Sequence, residues 1–170
     1  EVFRLQIQEW FKNKIESNTE QLTAFWNSIE EGNTEAIEQY LNRTLSSSIS
    51  VFDTKAPETE KENSYHTLLV GLLTGNADWM VRSNVEAGEG FADIIIEPED
   101  PDAGIIIELK YSKEAFGLDK ACERAMKQIR DRRYYEYLRN DGRQDIMFYG
   151  IAFYKKRCKV IVERLKERFN

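Results

Sequence analysis

The chain has 170 residues, of which 41% are hydrophobic and 32% charged, a balance typical of a folded globular protein and not of a disordered one. No apolar run approaches the roughly 20 residues that cross a bilayer, so we expect no membrane-embedded segment. The net charge is -6, but residues 1–108 hold 21 acidic and 7 basic residues, whereas residues 109–170 hold 17 basic and 9 acidic ones.

This charge asymmetry and the two cysteines indicate a partner class and a compartment. A basic C-terminal third beside an acidic region suits phosphate binding next to carboxylates that hold a cation, with solvated basic helix faces as the alternative. Cys122 and Cys158 lack the paired spacing of a zinc site or a redox motif, which favours a reducing cytoplasm. The first residue is Glu1 and not Met, which predicts a fragment of a longer protein.

The first 50 residues read as three short amphipathic helices, because apolar residues recur in them at helical spacing. The three apolar stripes run from Phe3 to Phe11, from Leu22 to Ile29 and from Ile37 to Leu45. Thr19 and Thr34 occupy the expected N-cap positions. We interpret the stripes as packing surface and the polar residues that follow as a linker. The predicted domains are therefore a helical extension or connector at 1–50 and a second domain at 58–170.

The second domain shows the pattern of a mixed α/β sheet. A short helix ends near Gly75-Asn76, and β-branched runs at 91–97 and 104–109 predict a hairpin across a turn rich in Pro and Asp. A strand is predicted at 81–86, a long amphipathic helix at 118–138, strands at 146–154 and 160–163, and a helical tail after them.

The hairpin carries the residues that indicate chemistry. Glu108 and Lys110 are two residues apart on one strand and therefore share a face, at the end of an apolar run. Asp93 lies near the start of the preceding strand, which adjoins the end of the next strand in an antiparallel hairpin. Asp93 and Glu108 suit Mg²⁺, the Leu109 carbonyl can add a ligand, and Lys110 would orient a water or stabilise negative charge. The alternative is that these residues only form a surface ion pair, which contributes little to stability.

The complete set of motifs resembles the PD-(D/E)XK nuclease superfamily, and more specifically the C-terminal nuclease domain of bacterial proteins that begin with an AAA-ATPase-like module. The matching segments are Glu62-Asn63-Ser64-Tyr65-His66, Ser83-Asn84-Val85-Glu86-Ala87-Gly88, Asp93-Ile94, Glu108-Leu109-Lys110, Gln128-Ile129 and Tyr149-Gly150-Ile151-Ala152-Phe153. The resemblance implies a restriction-endonuclease-like core, with a mixed central sheet flanked by helices and an N-terminal helical extension. Family members often carry Arg where this chain has Phe91, which leaves the role of that position open.

Further candidates follow from the resemblance and from spacing. The resemblance implies that Glu62, on the first helix of the core, joins the metal site. His66 lies one turn further on that helix, and it is a candidate general acid, phosphate donor or hydrogen-bonded core residue. Gln128 is placed to reach a nucleotide or the metal-bound water, with a satisfied buried amide as the alternative. Glu86 could end a strand close to Asp93, but we interpret it as a solvated loop carboxylate.

A cluster of basic and aromatic residues follows Gln128 and suits nucleic-acid binding, although packed tyrosines at an exposed helix end explain it as well. Its members are Arg130, Arg132, Arg133 and Tyr134.

The resulting hypothesis is a nuclease that uses Mg²⁺, or Mn²⁺ in its place, to hydrolyse nucleic acid, with DNA as the expected substrate. The first alternative is a catalytically silent nuclease-fold module that binds nucleic acid or a partner ATPase. The second is a structural interaction domain that uses its N-terminal helices.

Overall fold

The computed structural model describes residues 18–47 and 57–166, together with Glu9 and Asn13. Apart from Glu9, the helix predicted between Phe3 and Phe11 lies outside this described part, as do most of the predicted linker and the last four residues.

Along the described chain, three α-helices precede three β-strands, and two further α-helices precede the last two strands. The helices are α1 (Thr19–Glu31), α2 (Thr34–Ser47), α3 (Glu58–Thr74), α4 (Leu118–Asp131) and α5 (Tyr135–Asn140), and a 3₁₀ turn at Ala115–Gly117 leads into α4. The strands are β1 (Trp79–Ala87), β2 (Gly90–Pro98), β3 (Ala103–Tyr111), β4 (Asp145–Tyr154) and β5 (Arg157–Lys166).

The strands form one sheet in the order β1-β2-β3-β4-β5, antiparallel except for the parallel pair β3 and β4. A parallel pair needs a crossover connection, and α4 and α5 provide it. The predicted α/β class, with a mixed sheet flanked by helices and preceded by a helical segment, is confirmed and is consistent with a restriction-endonuclease-like fold.

Helices cover both faces of the sheet. Alternate residues of β3 point to opposite faces, so Ile105 and Ile107 join a core with α1, α2 and α3, while Ile106 joins a second core with α4 and α5. All three isoleucines are buried, as expected for a strand covered on both sides. Because α1 and α2 pack into the same core as the sheet, the division into a connector and a nuclease domain stays a prediction.

The predicted helix at 118–138 is wrong as a single element, because it breaks after Asp131 and resumes at Tyr135. Arg133 has a left-handed φ of 55° at the break. The turn between β1 and β2 packs there, with the Glu89 N–H donating to the Arg132 carbonyl at 2.7 Å. A Cβ on Gly88 would lie 2.2 Å from that carbonyl oxygen, so only glycine fits. Helical periodicity continues across the break and therefore hides it.

Two smaller predictions also need correction. The helical tail is wrong as far as residue 166, because β5 extends from Arg157 to Lys166 in register with β4. The N-caps lie one residue before those predicted, since α1 and α2 begin at Thr19 and Thr34 themselves. Asn33 caps α2, with its side-chain oxygen accepting from the Ala36 N–H at 3.1 Å.

Candidate active site

The hairpin of β2 and β3 brings Asp93, Glu108 and Lys110 to one end of the sheet. Ile94 pairs with Ile107, so the adjacent residues Asp93 and Glu108 lie opposite each other. The Asp93 carboxylate accepts a hydrogen bond from the Leu109 N–H at 2.8 Å, which ties it to β3. The carboxylates therefore meet because of strand register and not because of a flexible loop.

Glu108 has the most unusual environment of the three. Its side chain is 1% exposed, and one carboxylate oxygen, Oε1, accepts from Lys110 Nζ at 3.0 Å. The other oxygen, Oε2, is buried and has no hydrogen-bond partner within the described part of the chain. Burial, and after it the nearby charge of Asp93, raises the pKa of Glu108 to about 7. A buried carboxylate oxygen without a partner is costly, which is why such groups concentrate at functional sites.

These residues open into one pocket. Its lining consists of Glu62, Asn63, His66, Asn84, Asp93, Glu108, Leu109, Lys110 and Gln128. All six residues predicted from the sequence as catalytic are in this set, as is Leu109. Asn63 and Asn84 were not predicted as site residues. The signal for Asn84 was available, because Asn is disfavoured inside a strand.

Two of these residues reach the pocket from α3. The Glu62 carboxylate accepts from the Tyr111 N–H at 3.4 Å. His66 Nε2 lies 3.1 Å from the Asp93 carbonyl oxygen and 3.1 Å from Ser83 Oγ. The tautomer with a proton on Nε2 donates to the Asp93 carbonyl, and the other tautomer accepts from the Ser83 hydroxyl. In the first tautomer, His66 supports the backbone of Asp93.

Gln128 enters the pocket from α4 and is held by Tyr134, with its side-chain N–H donating to the Tyr134 hydroxyl at 3.0 Å. Tyr134 is only 2% exposed. Its ring is therefore not accessible for stacking on a base, and its expected part in nucleic-acid binding stays a prediction. Its phenol instead anchors the amide of Gln128.

The three arginines of the basic cluster lie outside the pocket lining, and each already has a partner. Arg130 pairs with Glu163 at 2.6 Å, and Arg133 pairs with Glu136. Arg132 donates to the Glu89 carbonyl at 3.3 Å. The pairs of Arg130 and Arg133 are largely exposed, so each contributes about 0–1 kcal/mol to stability. Their role in nucleic-acid binding stays a prediction.

The pocket supplies part of a ligand set for a metal ion. Within the described residues, no group of three His, Cys, Asp or Glu side chains is placed to hold a metal ion. Asp93 and Glu108 nevertheless offer two carboxylates at one point, including the unpartnered Oε2 of Glu108. A hard cation such as Mg²⁺ is commonly held by one or two protein carboxylates and keeps several waters. The residues present fit such an ion.

Comparison with known protein families agrees with this geometry. The sequence model of the PD-(D/E)XK nuclease superfamily matches residues 60–163, which is more than half of the chain. The chain belongs to the PD-(D/E)XK nuclease superfamily. The match extends from α3 to β5 and includes every residue that lines the pocket of this PD-(D/E)XK domain. No curated protein matches the chain.

Among the described helices of this PD-(D/E)XK domain, none combines the length and apolar character needed to cross a membrane. The narrower resemblance to nuclease domains that follow AAA-ATPase-like modules stays a prediction.

Proposed function

We propose that this PD-(D/E)XK domain is a metal-dependent nuclease that hydrolyses phosphodiester bonds of nucleic acid, with DNA as the expected substrate, in a reducing cytoplasm. The observation that carries the proposal is the buried Glu108, whose Oε2 is unpartnered within the described residues and which lies opposite Asp93 and in contact with Lys110. A folded protein gains nothing in stability from such an arrangement, because burial penalises the ionised carboxylate. Binding a cation removes that penalty.

Asp93 and Glu108 would hold Mg²⁺, or Mn²⁺ in its place, with Glu62 and the Leu109 carbonyl as further ligands. When bound, the cation supplies positive charge next to the phosphate and lowers the pKa of a coordinated water. Asp93 is preorganised for this task, because the Leu109 N–H holds its carboxylate and His66 contacts its backbone carbonyl. Fixed ligands need little rearrangement when charge develops.

Lys110 supplies a positive charge next to the Glu108 carboxylate in the pocket. Its side chain is 21% exposed, and its Nζ lies 3.0 Å from Glu108 Oε1. In hydrolysis, water attacks phosphorus and one P–O bond to the leaving strand breaks. Lys110 would orient the water or stabilise the charge that accumulates on the phosphate oxygens. Gln128, whose amide is held by Tyr134, is placed to bind the same water or a nucleotide.

A catalytically silent module that binds nucleic acid or a partner ATPase is the second candidate. It is favoured by one observation, that no cluster of three metal-binding side chains forms in the described part of the chain. Loss of turnover with retention of the fold would leave the pocket able to bind and unable to cleave.

A cleavage assay separates the two candidates. Labelled linear, circular and structured DNA, and RNA, are incubated with the chain in Mg²⁺, Mn²⁺ or EDTA. We expect metal-dependent cleavage that Asp93→Ala and Glu108→Ala each abolish. Glu99→Ala is the matched control, because Glu99 is an exposed carboxylate at the far end of the same hairpin. Nucleic-acid binding without cleavage in either metal would support the silent module instead.

A further inference from the structure

Asn84 has an unusual backbone conformation for a residue inside a strand. Its φ is 52°, in the left-handed region that Gly adopts freely, Asn and Asp adopt occasionally and most other residues rarely adopt. On either side, Ser83 pairs with Ile94 and Val85 pairs with Ala92, but Asn84 and Asp93 between them are not paired. The antiparallel ladder is therefore interrupted at the residue directly opposite Asp93.

At the interruption, the side chains of the hairpin change the face of the sheet to which they point. Residues two or four apart in a regular strand share a face. Val81 and Val85 do not, because Val81 packs against the core between the sheet and α1 to α3, whereas Val85 packs against the core between the sheet and α4 and α5. On β2 the same switch separates Ile94 from Ala92. Asn84 is thus the pivot at which the hairpin rotates, and Asp93 lies on the partner strand at the same level.

The side chain of Asn84 has no visible structural use. It is exposed, it lines the pocket, and it makes no hydrogen bond within the described residues. Non-glycine residues in strained conformations cluster at sites of function. If Asn84 served only the backbone conformation at the interruption, Gly could replace it, because Gly adopts this conformation without penalty.

The charge of the pocket indicates what the carboxamide binds. Its lining includes three carboxylates, those of Glu62, Asp93 and Glu108, and Lys110 as a cation. A phosphodiester that enters needs hydrogen-bond donors that leave those carboxylates free to hold a cation. A neutral carboxamide N–H meets this need, and Asn side chains are among the groups that donate to phosphate oxygens in protein–DNA complexes.

We propose that Asn84 is a substrate-binding residue whose side-chain N–H donates to a non-bridging oxygen of the phosphodiester held in this pocket. This proposal rests on the proposed function, because it assumes that nucleic acid is the substrate. It adds a contact that positions the phosphate against Asp93, Glu108 and Lys110.

Substitutions at this one position separate the side chain from the backbone. Asn84→Gly removes the carboxamide and keeps the left-handed conformation, so its melting temperature should be unchanged. Asn84→Asp keeps the shape and tolerates that conformation, but it replaces the donor with a negative charge. Asn84→Ala strains the backbone and should lower the melting temperature. Asn140→Ala is the control, because Asn140 is an exposed carboxamide outside the pocket.

Binding is measured by the fluorescence anisotropy of labelled DNA and RNA oligonucleotides in Ca²⁺ and in EDTA, and single-turnover cleavage is measured in Mg²⁺. We expect Asn84→Gly to raise Kd about tenfold, the size of one lost hydrogen bond to a charged group. Asn84→Asp should raise it further, and Asn140→Ala should not change it. The cleavage rate at saturating substrate should change much less than Kd in the glycine variant.

A scan of oligonucleotides that each carry one methylphosphonate then tests whether the contact is to a phosphate. At the position of the bound phosphodiester, the methylphosphonate should raise the Kd of the wild-type chain by a larger factor than that of Asn84→Gly, which has already lost its share of the contact. Wild-type affinity in Asn84→Gly would overturn the role of Asn84 while leaving the nuclease proposal intact. Binding without cleavage by the wild-type chain would overturn the nuclease activity but would still test Asn84. No binding by the wild-type chain would overturn both.

Discussion

Glu108→Gln should stabilise the metal-free protein at neutral and alkaline pH. The pKa of Glu108 is raised from 4.5 to about 7 in the folded protein, first by burial and then by Asp93. Between these two values the folded state binds more protons than the unfolded state does. The free energy of unfolding therefore falls as the pH rises through this window and stays low above it. Gln carries no charge at any pH, so the variant avoids the loss.

The difference between the two pKa values corresponds to roughly 3 kcal/mol at pH 8, at about 1.4 kcal/mol for each pKa unit. Near pH 4 the two proteins should differ little, because Glu108 is mostly protonated in both the folded and the unfolded state. Urea unfolding of the wild type and of Glu108→Gln in EDTA, at several pH values from 4 to 8, measures the difference directly. Glu99→Gln is the control, since Glu99 is exposed.

A gap between wild type and Glu108→Gln that does not widen from pH 4 to pH 8 would refute this reasoning. It would mean that Glu108 is not held in a buried, unfavourable environment. Saturating Mg²⁺ should narrow the gap at pH 8, because a cation stabilises the ionised carboxylate.

Two further predictions concern the metal and the division between binding and chemistry. Mg²⁺ should raise the melting temperature of the wild type and not of the Asp93→Ala, Glu108→Ala double variant, and equal shifts in a thermal titration would place the metal elsewhere. Replacing Arg130 and Arg133 by Gln should lower the slope of log Kd against log salt by up to about two units on duplex DNA, with little change in the single-turnover rate. Lys110→Ala should have the opposite effect, leaving Kd nearly unchanged and lowering the single-turnover rate by a factor of about 10² or more. A wild-type salt slope in the arginine variant would mean that this surface does not contact the substrate.

Strand alternation and apolar runs were sufficient to predict the hairpin and the residues at its end. Side chains alternate between the two faces of a strand, so Glu108 and Lys110, which are two residues apart, share one face whatever the rest of the chain does. Antiparallel pairing across the turn at 98–103 then brings Asp93 to the same end, as the structure shows. The order of helices and strands was predictable for the same reason, because periodicity is a local property.

The break after α4 and the burial of Tyr134 were not predictable in this way. Both depend on the β1–β2 turn, which packs against residues 132–134 from more than 40 residues away in sequence. Periodicity within 118–138 contains no record of that contact. Tyr134 next to three arginines resembles an exposed binding surface until the packing of that turn is known.

The sequence by itself determined the fold class, which follows from the order of helical and strand patterns. It also determined the central carboxylates with their lysine, which follow from spacing in two strands joined by a short turn. Only the tertiary structure decided that Glu108 is buried with one oxygen unpartnered in the described part of the chain. Only the tertiary structure also placed Asn84, in a left-handed conformation, opposite Asp93. Burial and strand rotation arise from the layers packed above and below the sheet, and those contacts join residues that are distant in the chain.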